Sequence, residues 1–369
     1  MGLLSQILSQ DTNNTFRPAL QADRCLNRKQ SRFACTVCSE ICPAQVFSTN
    51  TKEAHRWYRC RDCGLCVSAC PSRCFTLSPQ MQRTLTEDTH PGEPLVIACD
   101  REAELMDRKI PCLAAVPWEL LAVMTFYGEA VLLMTHCDSC EKASARDLLQ
   151  KNLERLKAFL GEDRFRERVH LITSGTWEPE TSPSEKEMSR RAVFSGLKQN
   201  LKKNVYRAAV SRIPQLEESD RDGLQYRRLL SQAVRKEREQ RRMEQEAIAE
   251  PETLPTYMLS LPAFTTSCFG CGICTRICPQ EALEIRAEAG GTRLIDITPW
   301  KCTACGLCVQ ICPHGGLAGM QKTAVPHLEK LPLVRVKTAS CERCGIAIRP
   351  GTAPAFCPAC RAKKKRLQR

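Results

Sequence analysis

Residues 268–279, CFGCGICTRICP, and 302–313, CTACGLCVQICP, repeat one phrase, CxxCxxCxxxCP. Soft thiolates match iron, and three closely spaced cysteines let one loop wrap a [4Fe-4S] cluster while the fourth reaches the other cluster of a pair. One ligand set is then Cys268, Cys271, Cys274 and Cys312, and the other Cys302, Cys305, Cys308 and Cys278. Two zinc sites are the alternative, but zinc sites seldom use this run and its closing CP.

The phrase returns near the N-terminus as CRDCGLCVSACP at 60–71 and, incomplete, as CTVCSEICP at 35–43. Where the incomplete copy needs its leading cysteine, the chain has Arg32, and Cys25 lies seven residues upstream. If Cys25 loops back, the sets are Cys25, Cys35, Cys38 and Cys70, and Cys60, Cys63, Cys66 and Cys42. If it does not, a three-cysteine [3Fe-4S] site remains with Cys25 free. After each CP come two variable residues, a small one and an apolar one: AQVF, SRCF, QEAL and HGGL. Cys74 falls level with Val46, Ala282 and Gly316, which makes it a small core residue and not a ligand. Trp57, Tyr58 and Trp300 precede cysteine phrases and are expected to shield clusters from water. Both ends of the chain resemble the dicluster ferredoxins, which implies up to four [4Fe-4S] clusters and electron transfer.

With 369 residues and 25 cysteines, an odd number set in CxxC clusters, the chain reads as a metal-binding protein of a reducing compartment and not a disulfide framework. The start, MGLLSQILSQDTNN, lacks the features of a signal peptide, so the expected location is cytoplasmic. The longest apolar stretch, about 113–135, contains Pro117, Glu119, Gly128 and Glu129 and fails as a membrane span. The net charge of +13 is localised: residues 186–242 carry 16 Lys/Arg against 7 Asp/Glu, and the last nine residues add +6. Residues 79–93 read as a polar linker, and 187–249 as a charged helical arm.

Between the linker and the arm, strand and helix patterns alternate: PLVIAC, KIPCLAAV, AVLLMT and RVHLIT as strands, with helices at WELLAVMTFYG and KASARDLLQKNLERLKAFLG. Such alternation predicts a mainly parallel sheet, whose loops at the carboxyl ends of the strands gather at one edge. Cys99 ends the first strand, Cys112 lies in the second, and Cys137 and Cys140 follow the third, so three of them converge, with Cys112 able to join if its strand ends early. PLVIACD, IPCLAAV, GEAVLLMTHCDSC, NLERLKAFLG and RVHLITS resemble the delta subunit of methyl-viologen-reducing hydrogenase. That resemblance implies a [2Fe-2S] cluster on Cys99, Cys112, Cys137 and Cys140. Two departures stand against it: a single cysteine ends the first strand, and the later pair is closer than in that family. Without a cluster, the segment is a docking domain with buried thiols.

The last cysteines, Cys341, Cys344, Cys357 and Cys360, form two CxxC knuckles twelve residues apart, the donor set of a structural zinc ribbon. Rubredoxin-type iron is the alternative. The histidines are scattered, and no phosphate loop or nucleophile elbow occurs.

The expected fold is an α+β multidomain chain with two dicluster ferredoxin-like modules (1–80 and 255–325). Between them lie an α/β parallel-sheet domain (93–175) and a charged helical linker (183–250), and zinc-ribbon knuckles with a basic tail (335–369) follow. The expected function is electron relay to or from a partner oxidoreductase of the hydrogenase, formate dehydrogenase or heterodisulfide-reductase type, without a catalytic site in this chain. The alternatives are an accessory factor that matures a metalloenzyme and a redox-sensing nucleic-acid regulator. The last is disfavoured because the basic segments lack the interleaved aromatics that stack bases.

Overall fold

A computed structural model describes residues 16–30, 34–48, 55–86, 94–102, 109–140, 143–174, 222–248, 255–351 and 355–367. The chain separates into two compact units, one made of residues up to Gln21 and Thr36–Ala233, the other of Ala22–Cys35 and Val234–Arg369.

In the first unit β1 (Ala19–Leu20) pairs antiparallel with β2 (Phe75–Thr76), one residue after Cys74. The segment expected to be a linker begins instead with a helix, Pro79–Thr86. Proline at the first helical position lacks only an N–H that would be unpaired there anyway. Ser78 accepts the Met81 N–H at 3.2 Å as a cap. Met81 and Leu85, one turn apart, are fully buried. Residues 87–93 lie outside the described residues.

A parallel sheet follows, built from β3 (Leu95–Cys99), β4 (Lys109–Ile110), β5 (Ala130–Leu133) and β6 (Val169–Ile172) in the order β4-β3-β5-β6. β4 is shorter than the sequence suggested. Pro111, which has no N–H for a ladder, follows it, and Leu113–Ala115 turns into a 3-10 helix. Cys112 therefore lies in the loop beyond the strand and not within it. The helix Trp118–Tyr127 is buried from Trp118 through Thr125, which suits an element apolar on all sides. Helix Ala143–Leu160 stops at Gly161, whose φ of 84° is open to glycine.

Of the charged arm, 187–221 lies outside the described residues. The helix Gln225–Ile248 is not merely solvated: Tyr226, Leu229, Leu230, Ala233 and Val234 make a buried stripe at helical spacing.

In the second unit β7 (Tyr257–Phe264) runs up to the cysteine phrase at 268. The hairpin of β8 (Leu283–Glu288) and β9 (Thr292–Ile297) separates the two phrases, and β10 (Leu317–Val325) returns antiparallel to β7. β11 (Leu331–Lys337) completes the order β11-β9-β8, and the two-residue strands β12 (Ala339–Ser340) and β13 (Ala347–Ile348) form the first knuckle. Among the described residues, no helix is long and apolar enough to cross a membrane.

Candidate metal centres

All four cysteine phrases end in the same backbone geometry. The third residue after the closing cysteine takes positive φ in each: Gln45 (50°), Arg73 (52°), Glu281 (51°) and Gly315 (61°). This left-handed corner folds the next N–H back onto the closing sulfur. Val46, Cys74, Ala282 and Gly316 donate to the Sγ of Cys42, Cys70, Cys278 and Cys312 at 3.4, 3.4, 3.4 and 3.2 Å. Three of the corners are non-glycine residues in a disfavoured region, a local strain of about 1–2 kcal/mol each that the surrounding structure must hold. The N–H···S bonds provide a reason, since they stabilise charge on a ligating sulfur.

The three intact phrases share a second feature. The residues on either side of the second cysteine take positive φ: Asp62 and Gly64, Gly270 and Gly272, Ala304 and Gly306. The incomplete phrase departs here as well, because Thr36, in the place of Gly64, is right-handed at φ −110°. The glycine after the second cysteine is thus a sequence signal of an intact loop, and it was available beside the cysteine count.

In the second unit, burial pushes the Cys274 thiol up to about 12, with added repulsion from Cys268, Cys271 and Cys312. Burial likewise raises Cys308 to about 12, helped first by Cys302, Cys305 and Cys278. One cavity is walled by Cys278, Cys302, Cys305 and Cys308, with Ala282, Leu283, Leu307 and Met320 as its apolar lining. A counterpart in the first unit is walled by Cys42, Cys60, Cys63 and Cys66, with Val46, Phe47 and Leu65 in the lining. There burial raises Cys66 well above the ordinary thiol value, and repulsion from Cys63, Cys60 and Cys42 adds to it. In both units the fourth cysteine of one phrase thus meets the first three of the other. Crowded, buried thiols that resist ionisation fit a cationic iron–sulfur core, which removes their protons and neutralises their charge.

The remaining N-terminal set is divided between the units, Cys25 and Cys35 in one and Cys38 and Cys70 in the other. Cys25 nevertheless has the local setting of Cys268. Gln21 N–H donates to the Cys74 carbonyl at 2.7 Å, as Thr265 N–H does to Gly316 at 3.1 Å. The next turn closes on Cys25 N–H to Ala22 O (3.2 Å) in one case and Cys268 N–H to Thr265 O (3.1 Å) in the other. The residues between Cys25 and Cys35 include a short helix, Leu26–Lys29, anchored by buried Leu26. Asn27 clamps the Cys35 backbone from both sides, donating to its carbonyl and accepting its N–H, each at 2.7 Å.

Cys74 is 3 % exposed, yet its Sγ lies 3.3 Å from that of Cys70. Hydrogen bonds, foremost the one with Cys74, draw the Cys70 thiol down to about 6. Trp57 meets Phe47 edge-on at 5.5 Å, whereas Tyr58 is 83 % exposed, at odds with the expected shielding role. Three residues after Cys70, Arg73 joins a buried ion triad that sequence reasoning missed: both of its bonds to Glu119 and the one from Arg227 to Glu119 are 2.8 Å.

In the parallel sheet, burial pushes Cys137 up to about 11, and Cys99, Cys112 and Cys140 reinforce it in that order. The four central cysteines lie at the carboxyl ends of the strands, Cys99 closing β3, Cys112 two residues after β4, and Cys137 and Cys140 in the turn after β5. Glu102 stands beside them, accepting from the Thr135 N–H and hydroxyl at 3.0 and 2.8 Å. Leu113–Ala115, next to Cys112, packs on the second phrase so closely that a Cβ at Gly64 would lie 2.8 Å from that of Ala115.

Cys341, Cys344, Cys357 and Cys360 have all four Sγ atoms within 4.8 Å of one another, and Cys344 and Cys357 are 3.7 Å apart. Tetrahedral Zn–S bonds of about 2.3 Å place sulfurs about 3.8 Å apart. The Cys357 N–H, 3.3 Å from Cys341 Sγ, is foremost in drawing that thiol down to about 6, while hydrogen bonds with Cys344 and Cys357 push Cys360 up to about 12. One thiolate suppressing its neighbours is what a dication relieves.

A family model described as a 4Fe-4S dicluster domain matches residues 267–316. No curated protein matches the chain.

Proposed function

We propose, with the 4Fe-4S dicluster domain at 267–316 as the premise, that the chain is a multi-cluster electron carrier serving a partner oxidoreductase. The observation that carries this reading is the pair of matched cavities, Cys278 with Cys302, Cys305 and Cys308, and Cys42 with Cys60, Cys63 and Cys66. A second dicluster module at the N-terminus follows, with Cys38 and Cys70 among the ligands of its other cluster. The central thiols of Cys99, Cys112, Cys137 and Cys140 hold a [2Fe-2S] cluster on a domain like the hydrogenase delta subunit, and Cys341, Cys344, Cys357 and Cys360 hold a structural zinc.

Bound iron–sulfur clusters supply one-electron storage at potentials set by their surroundings. The polypeptide's own work is to fix the sulfurs, exclude water and supply hydrogen bonds. The left-handed corners aim an N–H at each closing sulfur, and Val46, Phe47, Leu65, Leu283 and Leu307 wall off solvent. The contact of Ala115 with Gly64 joins the central thiol site to the second phrase within one packed unit.

The test is anaerobic co-purification from extract, followed by reduction of the full chain and mixing with the retained oxidoreductase. Reoxidation at that enzyme's turnover rate is expected. A chain that binds only the immature, metal-free form of an enzyme, and never exchanges electrons with the working one, would instead be a maturation factor.

A further inference from the structure

We propose that the Cys74 thiol tunes the electron affinity of the cluster held through Cys70, by donating its S–H to the Cys70 sulfur. The inference rests on the ligand reading above. Its own basis is a difference among the four closing cysteines, which are otherwise built alike.

Each closing sulfur receives a backbone N–H from four residues on, at 3.2–3.4 Å. At that fourth residue the side chains are those of Val46, Ala282 and Gly316 in three phrases, none with a polar hydrogen to give. In the remaining phrase it is Cys74, buried to 3 %, with its sulfur 3.3 Å from Cys70 Sγ. Ser72, 1 % exposed, adds a hydroxyl at 3.6 Å from the same sulfur. A sulfur bound to iron has no proton, so in this pair Cys74 must be the donor.

Reduction adds an electron whose charge spreads onto the ligand sulfurs, and a donor aimed at one of them stabilises the reduced state more than the oxidised one. Of the four clusters that the phrases would hold, the one on Cys70 is therefore shifted towards easier reduction. The burial of Cys74, which reads as simple core packing, also keeps this weak donor away from competing water.

The experiment is an anaerobic redox titration of the full chain followed by EPR, comparing wild type with Cys74→Val and Cys74→Ser. Valine stands at this register in the first phrase and serine keeps a donor. In Cys74→Val one midpoint is expected to fall while the others stay. The expected loss is about fivefold in that cluster's reduction equilibrium, which at 59 mV per decade is about 40 mV. Cys74→Ser is expected to restore most of it. Unchanged midpoints in Cys74→Val, or an equal fall in both variants, would overturn the proposal. So would loss of a cluster's iron from Cys74→Val, which would make Cys74 a ligand. A Cys70→Ser chain with wild-type iron content would remove the ligand reading itself, a distinguishable failure.

Discussion

Replacing Glu119 by Gln is expected to loosen the first unit more than any surface change. The carboxylate is 1 % exposed and accepts two bonds from Arg73 and one from Arg227, all at 2.8 Å. Arg155 is also near: burial, then Arg73 and Arg227, hold its guanidinium below its ordinary value. The amide nearly keeps the size of the side chain but removes the negative charge, leaving buried guanidinia without a counter-charge. Breaking a buried pair from one side costs about 3–5 kcal/mol. At about 1.4 kcal/mol per decade, amides that exchange through opening of this region lose about two to three and a half orders of magnitude of protection. Hydrogen exchange read by mass spectrometry over 118–127 and 225–233 measures this. Burial pushes the Glu119 carboxyl up, but Arg73 and Arg227 outweigh it and leave it below the usual carboxylate range. Its contribution is therefore present above the unfolded carboxylate pKa and lost as pH falls through the depressed folded value. A change in protection below threefold at neutral pH, or a wild-type advantage that disappears near neutrality, would refute the reasoning.

Other outcomes follow from the same geometry. Cys25→Ser is expected to cost about four iron per chain, or to convert one EPR signal to the [3Fe-4S] type; unchanged iron and spectrum would show that Cys25 is no ligand. Gly64→Ala meets both a φ of 71° and Ala115 Cβ at 2.8 Å, whereas Gly306→Ala, at φ 76°, has nothing within 4 Å. Overpacking adds about 1–3 kcal/mol to the first, so its melting temperature should fall further than that of the second; equal melts would contradict the close packing at Gly64. A zinc-selective chelator should remove one zinc and expose the knuckles at 339–361 to proteolysis with iron retained, and a knuckle that stays protected without zinc would count against a structural metal.

The cysteine spacing made the C-terminal module legible, because ligand geometry is encoded locally in CxxCxxCxxxCP. The parallel sheet was equally readable from Leu95–Cys99, Ala130–Leu133 and Val169–Ile172, whose apolar runs alternate with helical segments. Residues 79–86 misled because Pro79 looks like a breaker until Ser78 is seen capping the turn. Cys112 was placed in a strand that Pro111 excludes. The Arg73, Glu119 and Arg227 triad joins residues far apart in sequence, and no local pattern announces it. Cys74 was rightly placed in the core by alignment, but register cannot show that its sulfur would face Cys70.

Metal analysis of the anaerobically purified full chain tests the central claim most directly. Four [4Fe-4S] clusters and one [2Fe-2S] cluster predict about 18 iron, with matching sulfide, and the tetrahedral knuckles one zinc. About 8 iron, all lost when the cysteines of 268–312 are replaced, would contradict it by leaving the N-terminal phrases without clusters.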